Sequence, residues 1–70
     1  MKHYAVVYEK GEKNWSAYPP DLPGCAATGD TFDDCQRMIA EAIAFHIEGL
    51  ELAGYEVPEP TSLAAMVAVA

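Results

Sequence analysis

The sequence predicts an α+β domain of order βββαβ, an antiparallel sheet with one long helix packed across one face. Three observations predict it. A helical apolar period runs from about Phe32 to Ala53, between a capping signal and Gly54. Before it, two short runs rich in β-branched and aromatic residues flank the polar turn Lys10-Gly11-Glu12-Lys13-Asn14, as in a hairpin. Between hairpin and helix, Pro20 to Thr31 compresses two turn signals and a helix start into one stretch.

The first strand spans Lys2 to Lys10, where Tyr4, Val6 and Tyr8 alternate with His3, Ala5, Val7 and Glu9. Both of its faces are fairly apolar, which predicts cover on two sides. Trp15-Ser16-Ala17-Tyr18 returns as the second strand, and Pro19-Pro20 stops it because neither residue can donate to a ladder. In Pro20-Asp21-Leu22-Pro23-Gly24-Cys25, proline fixes one φ and glycine admits a positive one, the chemistry of a tight turn. Cys25 to Thr28 reads as a short third strand. Gly29-Asp30-Thr31 is a second bend that delivers a side-chain oxygen to the helix start, with Asp30 or Thr31 as the cap and Asp34, three residues after Thr31, in a near capping box.

At 1.5 Å per residue the helix is about 33 Å long. Phe32, Cys35, Ile39, Ala42, Ile43, His46, Leu50 and Ala53 share its apolar face. Asp33, Asp34, Arg37, Glu41, Glu48 and Glu51 form a negative stripe opposite, within which Asp33 and Glu41 can each reach Arg37. Gly54 and Pro58 end the helix, and Val57-Pro58-Glu59-Pro60 is an extended linker. Leu63, Ala65, Val67 and Val69 then alternate, so Ser62 to Val69 reads as the fourth strand.

Seventy residues form one domain, residues 1–70, with a marginal single core. The apolar second face of the first strand, with Met66 and the alanines of the last, predicts a homo-oligomer, a dimer or a tetramer. Cys25 and Cys35 lack a CxxC spacing and read as free structural thiols of a cytoplasmic protein. No apolar run approaches the ~20 residues that span a bilayer. Eleven acidic residues against four basic ones give a formal charge of −7, which argues against nucleic-acid binding; it fits a basic protein partner or, on charge alone, simply the solubility of a small acidic protein.

Catalytic constellations are absent from the pattern. Cys35 and His46 stand about 16 Å apart along one helix. Cys25 can meet His46 only if the third strand packs over the middle of the helix. The carboxylates of the helix face solvent, and two histidines with two distant cysteines make no metal set. No catalytic residue, metal or cofactor is therefore expected. Trp15 reads as core or as an interface anchor.

The ordered set from Trp15 through Pro20-Asp21-Leu22-Pro23-Gly24-Cys25 and Gly29-Asp30-Thr31 resembles the HicB antitoxin family. The likeness continues through Glu41-Ala42-Ile43, His46-Ile47-Glu48-Gly49-Leu50, Gly54, Val57-Pro58-Glu59-Pro60 and Thr61-Ser62. Cys35 stands where similar sequences usually carry alanine. The resemblance implies a pared-down ribonuclease H-like fold, no catalysis, oligomerisation, and binding of a small basic mRNA-cleaving HicA-type toxin. It also implies that the motif Pro20, Asp21, Leu22, Pro23, Gly24, Cys25, Gly29, Asp30 and Thr31 is architectural. Trp15, Asp33, Arg37, Glu41 and Glu48 are the candidates for partner contact. Family members often carry a C-terminal DNA-binding domain, for which this chain has no room after Ala70. Two other readings stand beside this one: an orphan HicB-like oligomer without a toxin, and a degenerate hydrolase or ribonuclease using His46.

Overall fold

The computed structural model describes residues 2–70; Met1, first in the expected domain, lies outside them. Three strands, β1 (Val7–Lys10), β2 (Trp15–Tyr18) and β3 (Ala27–Gly29), precede one helix, α1 (Phe32–Leu52). They form an antiparallel sheet in the order β1-β2-β3, with Tyr8 opposite Ala17 and Ala17 opposite Ala27. The α+β class, the antiparallel sheet and the single covering helix match expectation.

Pairing of the first strand starts at Val7 rather than Lys2. Its partner there is Tyr18, the last residue before Pro19-Pro20. Two residues without an N–H cannot continue the ladder, so residues 3–6 run on with no strand pairing. The third strand pairs over Ala27–Gly29 rather than Cys25 to Thr28, because Cys25 is still closing the turn. Its N–H donates to the Leu22 carbonyl at 3.2 Å, across Pro23 and Gly24, whose φ is +85°. This is a type II geometry, with proline second and glycine third. A turn just before it, Leu22 N–H to Pro19 O at 3.1 Å, drives the Leu22 side chain inward.

The core is small: Ala17, Leu22, Cys25, Cys35 and Ile39 are buried, with Tyr4, Val6, Tyr8, Trp15, Ala27, Ala42, Ile43 and Ile47 around them. Leu22 is 1% exposed, so the turn motif supplies core as well as direction. Truncating such a side chain costs about 2–5 kcal/mol. Thr31 caps α1, its Oγ1 accepting from the Asp34 N–H at 3.0 Å. At the other end, Tyr55 N–H donates to Leu50 O and Gly54 N–H to Glu51 O, a Schellman closure that makes Ala53 the cap. Only Cys35 and Ile39 of the helix are fully buried, both in its first half. The second half runs past the small sheet.

The expected fourth strand is not formed. Residues 62–70 carry no strand pairing and are all exposed. Their alternating pattern suits a strand, but a strand needs an edge, and the chain leads elsewhere. Asp21 takes hold of it first: its carboxylate accepts the Thr61 N–H at 2.9 Å, the Ser62 N–H at 2.8 Å and both hydroxyls. Upstream, the Tyr4 hydroxyl donates to Pro58 O, and Lys2 pairs with Glu59 at 3.1 Å. Without the last strand, the second face of the sheet holds Val7 and Tyr18 as its paired apolar residues, beside Glu9, Ser16 and Thr28. The apolar face expected from Met66 and the tail alanines is therefore not built on this sheet.

The bonds from Ser62, then those from Thr61, hold the Asp21 carboxyl below the ordinary carboxylate range. A carboxyl depressed in the folded state stabilises its contacts above the unfolded pKa and loses them as pH falls through the folded one. Acidification should therefore release residues 61 and 62 before the core unfolds, and Asp21→Ala should release them at neutral pH. Amide hydrogen exchange of Thr61 and Ser62 checks both. Protection that persists in Asp21→Ala contradicts the latch.

Candidate partner-binding surface

The helix start is built by aromatic packing. Phe32, next to the cap, meets Tyr8 at a centroid distance of 4.8 Å and the Trp15 ring edge-on at 5.3 Å. Trp15 is half-buried in this cluster. Its ring is thus engaged within the domain, at the margin of the core. Gly29 lies beneath the first turn of α1, so close that a Cβ there would stand 2.4 Å from Cys35 N.

The other candidates lie along the exposed helix. Asp33, Arg37, Glu41 and Glu48 are all solvent-facing. The Arg37 guanidinium pairs with Asp34 at 2.8 Å, three residues back, rather than with Asp33 or Glu41. The Asp34 carboxylate is thereby used on the helix surface, and the N-terminal cap rests on Thr31 Oγ1 accepting from the Asp34 N–H.

Beside this acidic row lies a feature that the one-face reading of the helix passed over. Met38, Phe45 and Leu52 are exposed, Phe45 by 77% and Leu52 by 81%. Spacings of seven place them on one line, each only 20° from the last. Ala42 and Gly49 fall between them, completing an alternation of four and three residues that marks a helix-packing seam. Asp34, Glu41 and Glu48 repeat with the same period on the flank. The result is an apolar seam with small residues at its bottom and a negative rail beside it. The sequence signal was available in the seven-residue repeat, masked by a second apolar face that packs on the sheet.

Gly49 belongs to this seam for a physical reason that the domain itself does not supply. A glycine inside a helix costs about 1 kcal/mol relative to alanine. A Cβ at Gly49 would meet nothing within 4 Å, so no neighbour in this chain requires the glycine. A bare backbone in the middle of an exposed apolar seam lets another surface approach closely.

The remaining reactive groups do not converge. Cys25 and Cys35 are free and buried, and burial pushes the Cys25 thiol up, away from the nucleophilic thiolate. Among the described residues His46 has no carboxylate within hydrogen-bond reach, and no group of three metal-binding side chains occurs. The reading of His46 as a catalytic base thus lacks a partner in this geometry. No helix among the described residues is long and apolar enough to cross a membrane.

Comparison with known proteins adds family evidence to this geometry. A protein of Haemophilus phage HP1, an uncharacterized 14.9 kDa protein of the rep-hol intergenic region, is 38% identical over 56 residues. That stretch is 80% of this chain and 42% of the phage protein, so the chain spans less than half of that relative. A UPF0150 protein of Synechocystis sp. is 38% identical over 58 residues, covering 81% of this chain and 73% of its own length. Among solved structures, a chain of the HicA3 and HicB3 toxin–antitoxin complex is similar, with a TM-score of 0.74 and 35% identity. The match covers 84% of this chain and 70% of that one. The family model described as the HicB-like antitoxin of bacterial toxin–antitoxin systems matches residues 4–70. With its turn motif, sheet and capped helix in that order, the chain belongs to the HicB-like antitoxin family.

Proposed function

We propose that this domain binds a HicA-type toxin and neutralises it by occlusion rather than by catalysis, and that the contact surface is the outer face of α1. The observation that carries this reading is the seam Met38, Ala42, Phe45, Gly49, Leu52 with its negative rail Glu41 and Glu48. Asp33 and Arg37 extend the charged border. A basic RNA-cleaving toxin meets here both halves of a protein interface: a desolvated apolar centre and a charged rim that steers encounter. The net charge of −7 adds long-range attraction. The likeness to a chain of a toxin–antitoxin complex supports the choice of partner. Trp15, occupied by Phe32, contributes by holding the helix start in place.

Gly49→Ala separates this surface role from stability. The substitution should stabilise the helix by about 1 kcal/mol and raise the thermal midpoint by about 4–8 °C. If a partner packs against Gly49, the same methyl group should weaken toxin binding by roughly tenfold, about 1.4 kcal/mol. Thermal unfolding of the variant and its calorimetric titration with a HicA-type toxin check the two effects. A variant that is more stable and binds as tightly as the original contradicts the assignment of this seam.

A further inference from the structure

The seam on α1 repeats every seven residues, and so does the charge beside it. Written as heptads, Met38, Phe45 and Leu52 take position d, and Ala42 and Gly49 take position a. Asp34, Glu41 and Glu48 then all fall at position g, the flank next to d. The opposite flank, position e, is turned toward the core: Ile39 is buried and His46 half-buried. The helix therefore has a coiled-coil seam with one outward charged flank, acidic three times in succession. Arg37 holds Asp34 at 2.8 Å, whereas among the described residues Glu41 and Glu48 pair with no cation.

Large side chains at d and small ones at a leave a groove along the helix. Packed helix axes lie about 8–10 Å apart according to the side chains between them, and alanine and glycine permit the short end of that range. The intervals along the groove select what fits it. Successive seam positions are alternately four and three residues apart, about 6.0 and 4.5 Å along the axis. Side chains on one face of a strand recur at about 6.7 Å, so a strand falls out of step over the roughly 21 Å from Met38 to Leu52. A second helix repeats the same alternation and keeps step throughout. A second copy of α1 suits the groove poorly, because antiparallel pairing sets the acidic flanks against each other and parallel pairing meets the covered e flank. The chain's own tail has no charged side chain from Leu63 onward to meet Glu41 and Glu48.

We propose, on the reading of this seam as the toxin contact, that α1 receives a single amphipathic helix of the partner protein in heptad register. That helix carries Lys or Arg every seven residues along the flank facing Glu41 and Glu48. A large apolar side chain of its own seats over Gly49, where nothing in this chain lies within 4 Å of a Cβ. The charge spacing sets register and partner choice, and the groove supplies the buried contact.

Titration of the ¹⁵N-labelled chain with synthetic helical peptides of three heptads tests this. One peptide has Leu at a and d with Lys at e and g; a second has Glu at e and g; a third has the lysine peptide's composition in scrambled order. The lysine peptide should shift amides of residues 38–52 and bind at least roughly tenfold more tightly than either of the others. Glu41→Lys combined with Glu48→Lys should cut its advantage over the glutamate peptide to below about threefold, with unchanged helical circular dichroism. The two changes add four units to a net charge of −7, so the variant stays acidic and overall attraction cannot account for the loss. A lysine peptide that does not bind, one no better than its scrambled form, or a preference that survives both substitutions overturns the proposal. A HicA-type toxin should displace the lysine peptide. A toxin that binds without displacing it overturns the placing of the toxin on this seam and leaves helix recognition standing.

Discussion

Replacing Gly29 by alanine should cost this domain a large part of its stability. The new Cβ would lie 2.4 Å from Cys35 N, 2.7 Å from Cys35 Cα and 2.8 Å from the Asp34 carbonyl carbon. All three atoms are backbone of the first helical turn, so no rotamer change relieves the contact. Strand β3 and helix α1 must move apart, which opens the layer holding Cys35 and Ile39. Overpacking of this kind costs about 1–3 kcal/mol, and more where backbone must shift. A domain of this length has roughly 4–10 kcal/mol in total. The urea midpoint should therefore fall by a third or more, or the variant should fail to fold. Gly24→Ala is the control: its φ of +85° is strained for alanine, but nothing lies within 4 Å. The left-handed backbone costs about 1–2 kcal/mol there. If Gly29→Ala proves no worse than Gly24→Ala, the close packing of β3 on the helix start is contradicted.

Replacing Phe45 by glutamate should remove toxin binding and leave the fold untouched. Phe45 is 77% exposed, so little burial is lost within the domain, and glutamate is a good helix former. In the proposed complex the same ring is the largest apolar group at the centre of the seam. Aromatic residues in that position behave as hot spots worth about 2 kcal/mol or more, a loss of at least roughly thirtyfold in affinity. A charge buried in the seam adds a desolvation penalty. Titration calorimetry should show that loss while the thermal midpoint stays within a few degrees. Loss of binding together with unfolding would say nothing of the surface, and the midpoint distinguishes the two. Unchanged affinity would move the toxin contact off this helix face.

The parts of the fold that follow from local chemistry were legible in the sequence. The N-cap at Asp30 or Thr31, which the structure assigns to Thr31, the glycine Gly54 just past the C-cap, the stop at Pro19-Pro20 and the Pro23-Gly24 turn each act over a few residues, and each is observed. What went unread involves distance or double use. Asp21 meets Thr61 and Ser62 forty residues away, and no local pattern reports such a bond. β1 loses half its expected length because its partner ends, a consequence of Pro19 that only the pairing register exposes. In α1, Ile39 and Phe45 both look like core by composition, and only the sheet's small extent leaves Met38, Phe45 and Leu52 uncovered. The tail's strand pattern was legible; that Asp21 holds residues 61 and 62, and that the tail beyond them pairs with no strand, was not.

The most direct measurement is a nuclear magnetic resonance titration of the ¹⁵N-labelled chain with a HicA-type toxin. Toxin binding on the outer face of α1 predicts that amide shifts concentrate in residues 38–52, centred on Phe45 and Gly49. No perturbation at saturating toxin would contradict it, as would shifts confined to the outer sheet face of Val7, Ser16, Tyr18 and Thr28.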